Sequence, residues 1–294
     1  MSAPFFEAPL FWAPERKFMW ICPICGLPLT QAEAGWQCSR RHSFDRSRSG
    51  YVHLLPANRK HGKMPGDDKL MVDARRRFLE GGWYEPLAET LCGQLSRHMP
   101  AGGGFLDVGC GEGYYTRRMA AAVHARRPEV ECAGVDISKI ALDKAARTCP
   151  QGQFAVASAF HLPVADSSCA AVTNVFAPYC GEELQRVLQL DGVLVMAIPG
   201  EEHLWELKQC IYDTPYKNQV KSFTLTGFDL VEQTHLRYSM ELPDSETVES
   251  LFRMTPYYYK TGLADQQKVS QLQGLTVTAE FFVLTYRRSA AQLR

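Results

Sequence analysis

The fold of this chain follows from one segment, Phe105-Leu-Asp-Val-Gly-Cys-Gly-Glu-Gly-Tyr-Tyr-Thr116. The apolar run at its start predicts a buried strand, and a helical pattern begins at about Tyr115. Between them lie three glycines in a Gly-x-Gly-x-Gly spacing, which are Gly109, Gly111 and Gly113. A strand, a glycine-rich turn and a helix let the backbone approach a ligand closely at the helix N-terminus. The segment therefore predicts a ligand-binding turn in an α/β protein.

The residues around these glycines restrict the charge of the ligand. A dinucleotide site has the spacing Gly-x-Gly-x-x-Gly, which this segment lacks. Asp107 and Glu112 flank the glycines, and carboxylates suit a cationic or amine-bearing ligand better than a phosphate. The segment thus resembles motif I of the class I S-adenosylmethionine-dependent methyltransferases, whose ligand carries a sulfonium and an ammonium. The alternative is a structural glycine turn in another α/β protein.

Composition leaves room for one large domain, or for a standard domain with a small one, in 294 residues. The 32 basic and 32 acidic side chains balance, so net charge alone indicates no polyanionic partner. No apolar run approaches the roughly 18 residues of a membrane span, so none is expected. Ten cysteines in a chain too large to need disulfides favour a reducing cytoplasm. Residues 1–20 lack a signal-peptide pattern and are expected to form an extended arm or to dock on the body.

A second motif lies near the N-terminus, where two pairs of metal-ligand residues follow one another. The pattern is Cys-x2-Cys-x12-Cys-x3-His, with the candidate ligands Cys22, Cys25, Cys38 and His42. Two close pairs of thiolate and imidazole ligands suit a tetrahedral Zn²⁺ site. Four protein ligands leave no open position, so the zinc is expected to be structural and to fold a segment with little core of its own. The alternative is a set of unrelated thiols with a solvated histidine.

The segment that overlaps and follows this motif is basic. Its candidate RNA-binding side chains are Arg40, Arg41, Arg46, Arg48, Arg59, Lys60 and Lys63. Histidines and aromatic residues lie between them, a pattern that suits a nucleic-acid backbone with unstacked bases. A solvated surface that keeps a small domain soluble is the alternative from charge alone. The place of this segment beside a zinc motif and ahead of the glycine turn favours recruitment of RNA.

After the glycine turn, predicted strands and helices alternate along the chain. The strands cover 130–136, 154–158, 169–178, 193–198, 227–242 and 275–287, and the helices cover 138–148, 182–190 and 245–253. This order predicts a Rossmann-like sheet of the methyltransferase type that ends in an antiparallel hairpin strand. Asp136, at the tip of the second strand, is placed to accept the ribose hydroxyls of a nucleoside, unless it only caps the next helix. Ser158, Ala159 and Phe160 are expected beside the adenine.

Two further helices are predicted ahead of the glycine turn, over 67–79 and from about Pro86 onward. They are expected to cover the sheet or the ligand. Tyr84 lies between them and is expected either to contact the cofactor or to pack in the core. His203 follows the fifth strand after the turn, at the sheet edge where ligands bind in open α/β folds. A solvated histidine at a helix start is the alternative for that residue.

The combination of motifs is narrower than the methyltransferase superfamily. The chain contains, in order, Cys-Pro-x-Cys, the Cys-x3-His pair, His42-Ser-Phe-Asp45, Gly50-Tyr-Val-x-Leu-Leu55, Pro65-Gly-Asp67, Ala74-Arg75, the glycine turn and Met254-Thr-Pro256. Together these resemble the RlmA-type 23S rRNA (guanine-N1)-methyltransferases over about 21–287. The resemblance implies a zinc ribbon that grips a hairpin of 23S rRNA and a class I domain that methylates a guanine ring nitrogen. It also implies that Cys22, Cys25, Cys38 and His42 hold zinc, and that Tyr84, Gly111, Glu112 and His203 contact S-adenosylmethionine.

We therefore expect an arm over 1–20, a zinc-binding RNA-recognition domain over 21–65 and a methyltransferase domain over 66–294. The expected reaction is direct transfer from the sulfonium to guanine N1, and no residue is identified as the base that removes the N1 proton. The segment Asn174-Val-Phe-Ala-Pro178-Tyr179 differs from the Asn/Asp-Pro-Pro-Tyr of many amino-group methylases. A homodimer that cradles a folded RNA is a further expectation. The alternatives are a small-molecule methyltransferase and a non-catalytic RNA-binding or assembly protein.

Overall fold

Two β-sheets organise the part of the chain that the computed structural model describes, which is residues 20–56, 67–220 and 222–289. The strands are β1 Leu29–Ala32, β2 Gly35–Cys38, β3 Ser43–Asp45, β4 Val52–His53, β5 Gly104–Val108, β6 Cys132–Asp136, β7 Gln153–Val156, β8 Cys169–Val175, β9 Leu188–Pro199, β10 Phe228–Leu242 and β11 Leu275–Arg288. The helices are α1 Lys69–Glu80, α2 Glu85–His98, α3 Tyr114–His124, α4 Lys139–Thr148, α5 Gly181–Val187, α6 Trp205–Ile211, α7 Ser245–Met254, α8 Pro256–Lys260 and α9 Leu263–Ser270.

The larger sheet has eight strands in the order β10-β11-β9-β8-β5-β6-β7-β4. From β9 to β4 all neighbours are parallel, whereas β11 is antiparallel to β9 and β10 is antiparallel to β11. The predicted α/β class and the closing antiparallel hairpin strand are confirmed. The strand that leads into the glycine turn, β5, lies in the parallel part of the sheet. The carboxyl ends of the parallel strands meet at one edge, which is where ligands bind in such sheets.

The central strands are apolar because both faces of the sheet are covered. Every residue of β5 and of β8 is buried. Successive residues of β5 belong to opposite cores, since Phe105 packs with α2 and α3 while Leu106 and Val108 pack on the other face. Such burial fixes the position of the turn that follows β5.

Some element bounds differ from those expected. The helix predicted to run to Leu190 ends at Val187, because Leu188 already pairs with Cys169 of β8. Asp191, with φ +66°, then forms a bulge inside β9 at the place where a turn was predicted. The helix α1 begins where expected, since the carboxylate of Asp68 accepts a hydrogen bond from Met71 N at 2.8 Å.

The N-terminal segment is built into the large sheet. The strands β1, β2 and β3 form a separate three-stranded antiparallel sheet, but β4 pairs in parallel with β7 at the edge of the large one. Trp20 is buried, and its indole N–H donates to Gln153 Oε1 at 2.8 Å. Ile21 N donates to Pro163 O at 2.9 Å. The zinc motif is therefore anchored to the sheet from both sides.

Other expectations concern residues that the structure does not describe. Residues 1–19 of the predicted arm lie outside the described ranges, and so do Arg59, Lys60 and Lys63 of the basic segment. Across the described ranges, no helix has the length and apolarity needed to cross a membrane.

Candidate active site and metal centre

The four predicted metal ligands converge at one point. The Sγ atoms of Cys22, Cys25 and Cys38 and a ring nitrogen of His42 all lie within 4.8 Å of one another. Cys25 Sγ is 3.7 Å from Cys38 Sγ, and His42 Nδ1 is 3.4 Å from Cys22 Sγ and 3.5 Å from Cys38 Sγ. Zinc–ligand bonds of about 2.3 Å to sulfur and about 2.0 Å to nitrogen give tetrahedral edges of about 3.8 and 3.5 Å. The donor set and its spacing therefore fit Zn²⁺.

The backbone around the cluster prepares the thiols for metal binding. Burial raises the pKa of Cys38, but hydrogen bonds from the backbone N–H groups of His42 and Arg40 outweigh it and lower that pKa to about 7. The first cysteine pair is turned by Gly26, which has φ +72° and donates its N–H to Cys22 O at 2.8 Å. These contacts hold the ligands in place and favour the thiolate of Cys38, which is the form that binds zinc.

The described part of the basic segment presents its charges to solvent. Its four predicted RNA-binding residues, Arg40, Arg41, Arg46 and Arg48, are all exposed. Among the described residues, none of the four forms an ion pair with a carboxylate. Arg46 Nε donates instead to Gly50 O at 3.1 Å. A group of unpaired guanidiniums beside the metal cluster is suited to phosphate contacts.

A cavity of about 670 Å³ opens along the carboxyl edge of the large sheet. Nine predicted cofactor residues line it: Tyr84, Asp107, Gly109, Gly111, Glu112, Asp136, Ser158, Ala159 and His203. The tenth, Gly113, does not line the cavity. It has φ +85°, and a Cβ there would lie 3.0 Å from Ala145 Cβ, so this glycine lets α3 pack closely against α4.

The turn after β5 is tied to the end of β6. Gly111 N donates to Asp136 Oδ2 at 2.9 Å, and Ser138 N donates to Asp136 Oδ1 at 2.8 Å. Ser138 itself caps α4 by accepting a hydrogen bond from Ala141 N at 3.3 Å. The Asp136 carboxylate is thus held at the cavity wall and is not needed as a cap, which leaves its remaining lone pairs for a ligand's hydroxyl groups.

Asp107 lines the cavity and also connects three elements of the sheet and its helices. It is buried beneath the turn, where Thr116 Oγ1 donates to Oδ2 at 2.5 Å and Thr173 Oγ1 donates to Oδ1 at 2.7 Å. Burial raises its pKa to about 6, against the opposing effect of these two hydroxyls. The residue connects β5 to α3 and β8, so its main contacts position the turn and are made within the protein.

Two buried polar atoms in the cavity wall have no hydrogen-bond partner among residues 20–56, 67–220 and 222–289, and both indicate a ligand. They are Glu112 Oε1 and the hydroxyl oxygen of Tyr115. Burial raises the pKa of Glu112, while Arg75 opposes that shift. A bound ammonium group would satisfy a carboxylate oxygen of this kind, and S-adenosylmethionine has one on its methionine part. The residues present therefore fit that cofactor.

Two residues of the family motifs, Asp67 and Arg75, line the cavity although the sequence assigned them no binding role. Arg75 forms an ion pair with Asp67, and both line the cavity. The Arg75 guanidinium also interacts with Glu112 and Asp136 across the wall. These residues come from α1 and its approach, Arg75 lying 34 and Asp67 42 positions before Gly109. The packing of α1 against α7, α4 and α3 brings them to the cavity.

Tyr84 and His203 lie side by side in the cavity wall. Both are buried, and Tyr84 Oη is 3.4 Å from His203 Nε2. Glu280 N, in β11, donates to His203 Nδ1 at 3.3 Å. A backbone N–H only donates, so Nδ1 is the acceptor and the proton of the neutral ring is on Nε2. Burial lowers the pKa of His203 to about 3, with a smaller contribution from Lys208. His203 is therefore a neutral N–H donor toward Tyr84.

Replacement of this histidine by glutamine is expected to change the pH dependence of stability. The folded chain takes up the His203 proton only near pH 3, whereas the unfolded chain takes it up below about 6.5, so wild-type stability falls as pH drops through that window. In His203→Gln this loss is absent. The free energy of unfolding, measured with urea at pH 8 and pH 5, should fall by about 2 kcal/mol less in the variant than in the wild type between these two pH values. A difference in the free energy of unfolding between the two proteins that is the same at both pH values would contradict this prediction.

Comparison with known proteins adds to this geometry. The family model "RlmA, N-terminal" matches residues 20–63, and a "Methyltransferase domain" model matches residues 105–191. A protein of Micromonospora griseorubida described as a 23S rRNA (guanine-N1)-methyltransferase is 35% identical over 291 residues, covering 90% of this chain and 96% of that protein. A 23S rRNA (guanine(748)-N1)-methyltransferase of Streptomyces fradiae is 36% identical over 242 residues, with coverage of 80% and 84%. A third relative, from Bacillus subtilis, is 28% identical over 279 residues, with coverage of 90% and 96%.

Proposed function

This chain belongs to the family of 23S rRNA (guanine-N1)-methyltransferases, and we propose that it transfers a methyl group from S-adenosylmethionine to N1 of a guanine in a hairpin of 23S rRNA. Its cofactors are S-adenosylmethionine and one structural zinc ion. The observation that carries the proposal is the presence, in one chain, of a complete tetrahedral ligand set and of a cavity with unpartnered acidic and phenolic groups. A methyltransferase for small molecules has no evident need of the first.

The two sites support a division of labour between the parts of the chain. Residues 21–65 would recognise the RNA, with zinc held by Cys22, Cys25, Cys38 and His42 and with the exposed arginines beside them. Residues 66–294 would bind the cofactor and carry out the transfer. The cysteines bind zinc as thiolates, which persist in a reducing compartment, so we propose a cytoplasmic location. A homodimer stays a prediction that a measurement of mass in solution can test.

The cavity suggests how these residues act. When bound, S-adenosylmethionine supplies a methyl group on a positively charged sulfur. Glu112 would bind the cofactor's ammonium group and Asp136 its ribose hydroxyls, and the backbone of the turn from Gly109 to Gly111 would lie against it. The bond from guanine N1 to the methyl carbon forms as the carbon–sulfur bond breaks and its electron pair returns to sulfur. The guanine must leave its base pair first, since N1 lies on the pairing edge.

The N1 proton must also leave, and His203 is unsuited to take it. Its Nδ1 already accepts a hydrogen bond, and its Nε2 carries the proton of the neutral ring. Because the ring stays neutral and its Nε2–H donates, His203 is suited to polarise the oxygen that accepts this hydrogen bond, which here is Tyr84 Oη.

The test is methyl transfer from labelled S-adenosylmethionine to 23S rRNA that lacks its natural modifications. The expected result is one strong stop in primer extension, because a methyl group on the pairing edge of guanine blocks reverse transcriptase. Asp136→Ala should abolish the stop, since it removes the carboxylate that holds Gly111 N and faces the cofactor. Label that enters no RNA, from a wild-type protein that binds the cofactor, would overturn the proposal and direct the search to small-molecule acceptors.

A further inference from the structure

One end of the cavity differs in chemistry from the rest. The carboxylates in the wall come from the approach to α1, from β5 with its turn and from β6: Asp67, Asp107, Glu112 and Asp136. A second group of lining residues is uncharged. Past β5 in the sheet order, those that follow β8 and β9 include Phe176, Ala177, Pro178 and Pro199. The junction of α7 and α8, where Tyr257 contacts Tyr212, adds Met254, Thr255, Pro256 and Tyr257. Neighbouring strands lie about 4.8 Å apart, so this second group, which we call the outer end, lies beyond the cofactor's charged groups.

Phe176 has an unusual backbone at this outer end. It has φ +57°, a left-handed conformation that bulky residues rarely adopt and that costs on the order of 1–2 kcal/mol. Its N–H still donates to Ala197 O at 3.3 Å, so the strained residue directly follows the paired part of β8. Strain of this kind persists where the surrounding structure enforces it, and it is frequent in binding sites.

The strain has a visible consequence, because it leaves an aromatic ring at the cavity rim. The Phe176 side chain is 43% exposed. It is supported from below by Phe281, with the ring centroids 5.5 Å apart. Phe281 is fully buried and is itself fixed by Tyr84 and His203, at 5.0 and 4.6 Å. A rigidly supported, half-exposed ring is a stacking surface and not part of the core.

The other wall of the outer end comes from the junction of α7 and α8. Thr255 closes α7 by donating its hydroxyl to Phe252 O at 2.7 Å, and Pro256 starts α8. Tyr257 packs edge-on against Tyr212 with ring centroids 6.4 Å apart, and Lys208 Nζ lies 5.2 Å from the Tyr257 ring centroid. This wall is apolar, aromatic and fixed, which suits a flat uncharged ring better than a flexible or charged group.

We propose that the outer end is the subsite for the target guanine, and that the unpaired base stacks on the ring of Phe176. The inference rests on the proposed function and makes it more specific. Stacking on an aromatic side chain holds an unpaired base in place. Removal of the ring weakens binding of that nucleotide by about 10- to 100-fold. It also brings the pairing edge of the guanine to the side of the cavity where the cofactor's methyl group must lie for transfer.

Two aromatic residues with exposed rings in the cavity wall allow a matched test. Phe160 is 52% exposed and lines the adenosine end after β7, while Phe176 lines the outer end after β8. Phe176→Ala is expected to lower kcat/KM for methylation of 23S rRNA about 10- to 100-fold and to leave the Kd of S-adenosylhomocysteine unchanged. Phe160→Ala is expected to weaken S-adenosylhomocysteine binding instead. Phe176→Tyr, which keeps a ring, should restore methylation.

The outcomes separate this inference from the proposed function. If wild-type protein methylates 23S rRNA and Phe176→Ala does so equally well, the subsite is wrong and the proposed function stands. The subsite is also wrong if Phe176→Ala loses cofactor binding as strongly as methylation, because Phe176 would then support the cofactor end. If wild-type protein methylates no RNA, both are overturned.

Discussion

Gly109→Ala is expected to weaken S-adenosylhomocysteine binding by about 100-fold or more. Gly109 has φ +81°, and a Cβ there would lie 2.2 Å from Ala177 Cβ. Real carbon atoms do not approach so closely, so either the turn after β5 or the segment after β8 must move. The first carries Gly111 and Glu112, which line the cavity, and the second carries Phe176. A displacement of about 1 Å in either is enough for such a loss. Isothermal titration with S-adenosylhomocysteine measures it.

The chain provides both a control and a compensating change for this prediction. Gly82 has φ +83° and nothing within 4 Å of its Cβ position, so Gly82→Ala carries the left-handed cost of about 1 kcal/mol without a collision. It should bind the ligand almost normally. Adding Ala177→Gly to Gly109→Ala removes the colliding carbon and leaves Ala177 Cα at 3.7 Å, an ordinary contact. Failure of this double variant to recover binding would show that backbone strain, and not the collision, was responsible.

The sequence predicts the parts of the site that lie on short local motifs. The glycine spacing locates the turn, since Gly109 and Gly111 do adopt the left-handed conformations that only glycine adopts readily. The Cys-x2-Cys and Cys-x3-His pairs likewise predict a cluster whose distances fit zinc. In both cases the spacing along the chain determines the local geometry, so no knowledge of distant contacts is needed.

Contacts between distant segments could not be predicted in this way. His203 acts as a neutral donor because Glu280 N, 77 positions later, fixes its ring. Arg75 reaches the cavity because α1 packs against α7, α4 and α3, which come later in the chain. The two-residue strand β4 is too short to show any periodicity, and it is specified only by its pairing with β7. These features depend on tertiary packing between distant segments, which local sequence patterns do not predict.

The pairing of β4 has a functional consequence, because it connects the metal centre to the cofactor cavity. The segment 157–164 lines the cavity with Ala157, Ser158, Ala159 and Phe160. It begins after β7, where Leu54 N donates to Val156 O at 3.0 Å. It ends where Ile21 N donates to Pro163 O at 2.9 Å and Trp20 bridges Val164. Both ends are thus held by residues that flank the zinc ligands in sequence.

Loss of zinc is therefore expected to damage cofactor binding as well as RNA methylation. Cys38→Ser should release the metal, since one lost thiolate breaks a four-ligand site whose binding also folds the segment. Methylation of 23S rRNA should fall about 100-fold or more, and S-adenosylhomocysteine binding should weaken about 10-fold because the segment 157–164 loses its support. Metal content, titration with S-adenosylhomocysteine and methylation would be measured together on the full chain.

Cys180→Ser is the matched control, because Cys180 lies outside the cluster at the start of α5 and serine is a favourable residue at a helix start. It should keep one zinc per chain and normal activity. If zinc-free Cys38→Ser binds S-adenosylhomocysteine as tightly as wild type while methylation is lost, the metal centre serves RNA recognition alone. If methylation and S-adenosylhomocysteine binding are both lost, the metal centre also supports the cavity. Trp20, Ile21 and Leu54 then transmit the effect, because they connect the zinc-binding segment to residues 157–164 in the cavity wall.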